Sequence, residues 1–194
     1  MVNISRRAAL VRGVRTAAWG SLIASGISRA ARASNSVYEV VSEPTLLPGA
    51  PIPSLQGPVV LRINGRIASP GDVEFDMSTL ERLGLIRFTT PTSWTPGPVT
   101  FEGVLLSRLL DFVGVKPDAT TLMITAIDDY KAPVPVEDAH KWPVMLAIKE
   151  NGAYMSVRDH GPLWVVYPQH AYPEVGERDF LSRWVWQVAQ IAVE

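Results

Sequence analysis

The chain has 194 residues, of which 47% are hydrophobic and 19% charged, and these proportions predict one globular domain with an ordinary core. It contains no cysteine, which excludes disulfides, thiolate nucleophiles, iron–sulfur clusters and cysteine-ligated zinc within this sequence. The 18 basic residues include six within residues 1–33, so the remainder has 12 basic and 19 acidic residues, a formal charge of −7 that argues against nucleic acid as a partner.

Residues 1–33 have the pattern of a signal peptide. An arginine-rich start precedes a mildly apolar run from Thr16 to Ile27, and Ala31-Arg32-Ala33 offers the small residues of a cleavage site. Ser5-Arg6-Arg7 resembles the start of a twin-arginine export signal. These features predict a periplasmic or secreted protein, with a disordered basic arm or an amphipathic surface helix as the alternatives. Because no later stretch reaches about 18 consecutive apolar residues, no membrane span is predicted in the mature form.

Residues 34–57 are predicted to form an extended, proline-rich leader. Four prolines lie among Ser and Gly in this stretch, and proline disfavours both helix interiors and central strands. The domain itself is predicted over residues 58–194. Its first element is a β-branched run over 59–64 that Gly65 turns, and Arg66-Ile67 is expected to return as the second strand of a hairpin.

Helix and strand patterns alternate through the middle of the domain. A capping-box pattern at 78–81 predicts a short helix. Strands are predicted over 86–90 and 99–102, on either side of a Pro-Gly-Pro turn. Apolar residues from 105 to 113 have helical spacing, and Gly114 after them is a typical helix stop.

The last third of the chain is predicted to be mostly strand. A buried strand is expected over 121–127, Asn151-Gly152 is a strong hairpin signal, and another apolar strand is expected over 163–167. The final strand, over 184–193, breaks its alternation near Ala189, where a bulge would restore the inward face. Many strands with a few short helices predict an α+β fold.

Short motifs distributed over the whole domain point to a known family. Six of them occur in one order: Leu61-Arg62-Ile63-Asn64-Gly65, Trp94 with Phe101-Glu102-Gly103-Val104, Asp128-Asp129-Tyr130, Leu146-Ala147 with Asn151-Gly152, His160-Gly161-Pro162-Leu163 with Pro168, and Trp184-Val185-Trp186-Gln187-Val188. This order resembles the oxidoreductase molybdopterin-binding domain family, which has the sulfite-oxidase-type fold. The resemblance implies mixed β-sheets with a few short helices, molybdopterin as the cofactor and a molybdopterin-dependent oxidoreductase activity.

Two positions depart from the family's chemistry. Where the family has a cysteine thiolate that ligates molybdenum, this chain has Thr92 and Ser93 before Trp94, and a hydroxyl ligand would change the redox behaviour of the metal. Where the family has an arginine for the phosphate of the pterin, this chain has Trp164. Where the family has lysines before the last strand, this chain has Arg178 and Arg183 only, and the resemblance leaves Arg158 and His160 to compensate in part.

Several candidate residues have an ordinary structural explanation beside the functional one. Asp129 and Tyr130, together with Asp128, would place carboxylates and a phenol at a pocket rim, or else form a strand-end turn. His160 would bind an anion or shuttle protons, or else lie in a solvated loop. The four tryptophans of the domain's motifs would wall a pocket, or else pack in the core, and core packing is expected for Trp164 and Trp186 because they alternate inward on strands. Trp94 is the better ligand candidate because it lies in a Pro/Gly/Ser loop. The spacing of the histidines predicts no metal site.

Three hypotheses for function follow. The first is an exported oxidoreductase that binds molybdopterin through backbone amides and the basic residues, with an atypical molybdenum ligand. The second is a non-catalytic ligand-binding or sensory module with a degenerate cofactor site, whose former cofactor cleft, walled by Trp94 and Tyr130, binds a small molecule or a periplasmic partner protein. The third is a purely structural protein, which would need an exposed apolar patch.

Overall fold

The computed structural model describes residues 36–194, and within that range the chain forms two β-sheets and four short α-helices. The first sheet of this range has six strands: β1 (Glu39–Ser42), β4 (Leu85–Thr90), β5 (Val99–Leu105), β8 (Met145–Glu150), β9 (Ala153–Tyr154) and β10 (Trp164–Val166). The second has five: β2 (Leu61–Gly65), β3 (Val73–Phe75), β6 (Thr121–Ala126), β7 (Lys131–Pro135) and β11 (Val188–Val193). The helices of this range are α1 (Met77–Glu81), α2 (Leu106–Val113), α3 (Asp138–Lys141) and α4 (Arg178–Leu181).

The two sheets differ in how their strands are connected. The first is antiparallel in the order β1-β4-β5-β8-β10, with β9 paired to β8. The second has the order β3-β2-β11-β6-β7, and its last strand in sequence, β11, pairs in parallel with β2 and antiparallel with β6. The second sheet is therefore mixed, and the predicted α+β class is confirmed.

Helix α2 begins and ends where its apolar spacing predicts. Its buried residues include Leu106, Leu109 and Leu110, which join the core. Gly114 follows in the left-handed conformation at φ 65°, which glycine adopts without steric cost. The helix thus presents one apolar face, and the buried part of that face packs among core residues of the sheets.

Two further local predictions are confirmed. The Asn151-Gly152 turn joins β8 to β9, and both of its residues have positive φ, as a tight hairpin requires. Strand β11 shows a register shift between Val188 and Gln190, which places the predicted bulge at Ala189. The strand is shorter than predicted, however, because Gln187 has φ 53° and ends the extended conformation on its N-terminal side.

The predicted hairpin at the start of the domain is wrong in its second strand. Strand β2 pairs with β3, eight residues beyond Gly65, and its other edge is occupied by β11. Arg66 and Ile67 do not form a strand; Arg66 N instead donates to Val193 O at 2.8 Å. Strand β2 thus pairs on one edge with β3 and on the other with β11, a strand from the far end of the described chain.

The N-cap of helix α1 is Asp76, not the predicted Ser78. The Asp76 carboxylate accepts hydrogen bonds from Thr79 N at 2.8 Å and Ser78 Oγ at 3.0 Å, and from the backbone of Gln56 and Gly57. Although burial raises the pKa of this carboxyl, the hydrogen bonds outweigh that effect and hold the pKa well below its usual range. A buried carboxylate with several donors therefore joins the helix to the segment before β2.

Strand β7 was not predicted, because its sequence contains Pro133 and Pro135. Proline cannot donate to a strand neighbour, so prolines are tolerated only where a strand has a free edge. Strand β7 lies at the edge of the second sheet and pairs with β6 alone, which explains how both prolines are accommodated.

The segment predicted as an extended leader adds a strand to the first sheet. Residues 39–42 of this segment form β1, which pairs antiparallel with β4 at the sheet edge. Ser42 Oγ accepts a hydrogen bond from Leu85 N at 3.0 Å, and Leu46 is buried in the core. The predicted signal peptide, residues 1–33, lies outside the described residues. Among residues 36–194, no helix has the length and apolar character needed to cross a membrane.

Candidate functional site

Four tryptophans from three separate segments meet at one end of the first sheet, and we call them the tryptophan cluster: Trp94, Trp164, Trp184 and Trp186. Trp94 lies in the loop between β4 and β5, Trp164 on β10, and the other two in the segment before β11. The centroid of the Trp94 ring lies 6.1 Å from that of Trp164, 5.9 Å from that of Trp184 and 5.3 Å from that of Trp186. Trp94 is therefore the centre of the cluster.

A cavity of about 310 Å³ opens on one side of Trp94, and we call it the aspartate cavity because Asp128 lies in its wall. Its aromatic lining residues are Tyr130 and three of the four tryptophans, Trp94, Trp184 and Trp186. The remaining lining residues are small, apolar or hydroxylic: Ala126, Leu181, Ser182 and Val185. Four of the nine residues within 36–194 that line the aspartate cavity are thus aromatic, and Asp128 is the one carboxylate among the nine.

A second cavity, of about 450 Å³, is also lined by Trp94, and we call it the histidine cavity. His160 lines it, and the imidazole packs on the cluster with centroids 4.5 Å from Trp164 and 5.3 Å from Trp186. Glu150 and Asp159 are its carboxylates. Trp94 lines both cavities and so forms part of the wall between them.

Hydrogen bonds within the β4–β5 loop hold Trp94 in place. Thr92 Oγ1 accepts from Trp94 N at 3.1 Å and lies 2.9 Å from Thr95 Oγ1, which in turn donates to Gly97 O at 2.8 Å. Ser93 is exposed on the loop and lines neither cavity. The Thr92 hydroxyl, one of the two predicted substitutes for the family's cysteine, therefore serves the loop's own structure.

The turn between β6 and β7 places its three candidate residues differently. Asp128 and Tyr130 line the aspartate cavity, and Asp128 Oδ1 accepts from Tyr130 N at 3.1 Å. Asp129 is exposed, has φ 66° and is not among the residues that line either cavity. The two interpretations therefore both hold, because the strand-end turn also forms the rim of the cavity. The carboxylate at this rim is Asp128, and Asp129 does not line the cavity.

Arg183 lies close to the cluster in sequence but is engaged elsewhere. Its Nη1 donates to Asp138 Oδ2 at 2.7 Å, and the Tyr167 hydroxyl donates to the same oxygen at 2.7 Å. Burial, then the charge and hydrogen bond of Asp138, raise the pKa of Tyr167 well above its ordinary value, although Arg183 opposes them. The phenol stays protonated, and the three groups form a buried network. Arg158 is exposed and lines neither cavity.

The sequence pattern predicts some residues of this site and gives no indication of others. Trp164 is fully buried, and its indole Nε1 donates to Trp184 O at 3.3 Å, so it packs in the core as its strand pattern predicts. Trp186 was expected in the core as well, but it is partly exposed and lines the aspartate cavity. Glu150, at the end of β8, gave no signal because a lone carboxylate beside a turn is common in any sequence. Among residues 36–194, no three His, Asp or Glu side chains are grouped closely enough to hold a metal ion.

Known proteins are similar to this chain in sequence pattern and in fold. The family model for the oxidoreductase molybdopterin binding domain matches residues 61–174, which is more than half of the chain. Among solved structures, the sulfane dehydrogenase SoxCD from Paracoccus pantotrophus superposes with a TM-score of 0.53 and 24% sequence identity. The superposition covers 69% of this chain and 37% of that chain. No curated protein matches the chain in sequence.

The family match and the superposition agree with the order of the sequence motifs. The matched region runs from the start of β2 to Glu174, so it includes β2 to β10 with Trp94 and Trp164, and it ends before Trp184, Trp186 and β11. At 24% identity the superposition supports the fold alone. Because the family model matches over half of the chain, the protein belongs to the oxidoreductase molybdopterin binding domain family, with the sulfite-oxidase-type fold.

Proposed function

We propose that this protein is an exported, non-catalytic binding module with a degenerate cofactor site, in which the cleft around Trp94 takes a small molecule in place of molybdopterin. The observation that carries the proposal is the composition of the two cavities that share Trp94. Their ionisable lining residues are three carboxylates, two tyrosines and one histidine: Asp128, Glu150, Asp159, Tyr130, Tyr154 and His160. Among residues 36–194, no lysine or arginine lines either of them.

This composition does not fit the phosphate of a pterin cofactor. A phosphate dianion needs paired donors and positive charge, which the family supplies with arginine and lysine. Carboxylates in the same walls would repel it. At the family's arginine position, Trp164 is fully buried in the tryptophan cluster. The residues present therefore do not fit the phosphate.

The residues at the metal position do not fit molybdenum either. A soft thiolate is the ligand that the family uses, and this chain offers hydroxyl oxygens instead. The Thr92 hydroxyl already bonds to Trp94 N and Thr95 Oγ1. Turning this oxygen toward a metal would break the contacts that position Trp94. We therefore derive no redox step through molybdenum.

A small molecule suits the aspartate cavity better than a partner protein does. At about 310 Å³ it lies at the lower end of the roughly 300 to 1,000 Å³ that is usual for small-molecule sites. Aromatic walls with a few polar groups are typical of such sites. The competing hypothesis, a molybdopterin enzyme, needs Arg183 and Arg158 at the cofactor, but Arg183 is paired with Asp138 and Arg158 lines neither cavity.

Metal and pterin analysis of the protein from its own host tests the proposal. We expect the purified protein to contain neither molybdenum nor tungsten by elemental mass spectrometry, and no fluorescent pterin product after oxidation. A cysteine-containing member of the family, purified from the same cells, is the control, because its molybdenum content shows that the host supplies the cofactor. Stoichiometric metal with pterin in this protein would overturn the proposal in favour of the enzyme.

Export is supported by the sequence of residues 1–33. The paired arginines Arg6 and Arg7, the apolar run and the small-residue site match a signal that a twin-arginine route recognises. We expect the protein in the periplasmic or secreted fraction, and we expect R6K together with R7K to retain it in the cytoplasm. Cytoplasmic protein in the unaltered strain would contradict the export part of the proposal and leave the binding part standing.

A further inference from the structure

The aspartate cavity combines aromatic walls with a carboxylate that has no cationic partner. Asp128 forms no ion pair within residues 36–194, and its one hydrogen bond in that range is the 3.1 Å contact from Tyr130 N to Oδ1. That contact orients the carboxylate on the cavity wall. The neighbouring cation Arg183 is paired with Asp138, so it does not neutralise Asp128. The cavity therefore has an unbalanced negative charge.

The aromatic residues provide the second half of a cation site. Trp94, Trp184, Trp186 and Tyr130 all line the cavity. The rings of Trp94 and Trp186 meet edge to face at 81°, with centroids 5.3 Å apart, so the two planes form a corner and not a flat stack. A cation in such a corner contacts more than one π face, and each face attracts it through the ring quadrupole.

We propose that the aspartate cavity binds an organic cation with a methylated ammonium head. The methyl groups would contact the indoles and Tyr130, and the charge would be neutralised by Asp128. A hydrated metal ion is excluded by the apolar walls, and an anion by the carboxylate. A neutral apolar molecule would bury Asp128 without a partner, which costs free energy. This inference rests on the proposed function, since it names the class of ligand that the cleft takes.

Titration of the purified full chain with two isosteric probes tests the inference. Choline is the cationic probe, and 3,3-dimethylbutan-1-ol is the neutral probe of the same shape. Binding is followed by calorimetry and by tryptophan fluorescence, since three indoles line the site. We expect choline to bind with a Kd between about 1 μM and 1 mM, and the alcohol to bind at least about tenfold more weakly.

Variants assign the binding to the cavity. D128N is expected to weaken choline binding at least about tenfold and not to weaken binding of the alcohol, because the variant loses only the charge, which favours the cation and disfavours the neutral probe. Y130F is expected to keep choline affinity within about threefold, since the ring remains, and Y130L to lose about 3- to 30-fold. Tyr130 is 49% exposed, so both tyrosine variants are expected to fold. D111N removes an exposed carboxylate from α2, away from the cavity, and should leave affinity unchanged.

The outcomes separate this inference from the proposed function. Equal binding of choline and the alcohol, equal affinities of D128N and the unaltered protein, or no choline binding at all would overturn the cation assignment. If the protein is also free of molybdenum and pterin, the proposed binding module still stands with a different ligand. Molybdenum and pterin in the host-purified protein would overturn the proposed function itself, whatever the titration shows.

Discussion

At the scale of single residues, the neighbours of Arg183 decide whether its charge stabilises the fold or binds a ligand. Asp138 is almost fully buried and accepts hydrogen bonds from Arg183 and Tyr167 on one oxygen. Arg183 also lies over the ring of Phe180 at 4.4 Å. A buried carboxylate requires such partners, because desolvation of an unpaired charge is costly. The Arg183 guanidinium thus stabilises the fold through Asp138 and does not serve a ligand.

Replacing Arg183 therefore changes stability. We expect R183M to lower the free energy of unfolding by about 3 kcal/mol, because it leaves the Asp138 carboxylate buried with Tyr167 as its remaining partner. R62M is the matched control: Arg62 pairs with Glu74 at 2.8 Å, but both side chains are well exposed, so its loss should cost less than about 1 kcal/mol. Urea unfolding measures both. Equal losses would show that the Arg183 pair is no stronger than a surface pair.

Asp76 gives the fold a defined response to acid. Its hydrogen bonds hold the pKa of the native carboxyl below the unfolded value of about 3.9, so the unfolded state binds the extra proton first. The stabilisation is present above about pH 4 and is lost as the pH falls below it. We expect the stability difference between the unaltered protein and D76N to shrink from pH 7 to pH 3, measured by urea unfolding. A D76N difference that does not change with pH would contradict this prediction.

At the scale of elements, the close approach of β5 and β8 is set by a glycine. The register between these strands shifts between Glu102 and Gly103, and a Cβ built on Gly103 would lie 2.2 Å from Leu146 O. That oxygen belongs to a buried backbone, which cannot move aside as a flexible side chain would. A side chain at Gly103 must therefore separate the two strands or distort them.

The consequence is a testable difference between two glycines. We expect G103A to lower the free energy of unfolding by about 3 kcal/mol, the upper end of the usual cost of overpacking. Gly97, in the loop that bears Trp94, has no atom within 4 Å of the position of an added Cβ, so G97A should change stability by less than about 1 kcal/mol. Thermal unfolding of both variants provides the comparison. A tolerated G103A would show that β5 and β8 adjust their spacing freely.

At the scale of the whole molecule, the proline-rich segment before the domain belongs to the first sheet. Strand β1 covers one edge of β4, and Leu46 fills part of the core. A chain that begins at Pro58 loses both contributions. A proline-rich composition therefore did not prevent this segment from pairing with the sheet, because its prolines lie after the strand and not within it.

Truncation measures this contribution. We expect the chain 58–194 to melt about 5 to 10 °C below the chain 34–194, because the loss of a paired strand and a buried leucine exceeds 2 kcal/mol. Calorimetric melting of the two chains tests this, with the full chain as reference. If the two truncated chains melt together, residues 34–57 are only a leader, as their composition alone suggests.

Local patterns determined several features of the described structure. Helix α2 with its Gly114 stop, the Asn151-Gly152 hairpin and the bulge at Ala189 all lie where the sequence places them. Each depends on residues within a few positions of one another, whose backbone preferences act without help from the rest of the chain. The order of motifs also determined the family, which the matched region from residue 61 to 174 confirms.

Tertiary structure decided what local patterns could not. Ser78 and Asp76 are both plausible N-caps of α1. Asp76 is the cap in the structure, and its carboxylate also accepts hydrogen bonds from the backbone of Gln56 and Gly57, which are distant in sequence. Of the two aspartates after β6, only Asp128 lines the cavity, while Asp129 adopts a positive φ in the turn and does not line it. These choices depend on segments far apart in sequence, since burial and charge pairing exist only after those segments meet.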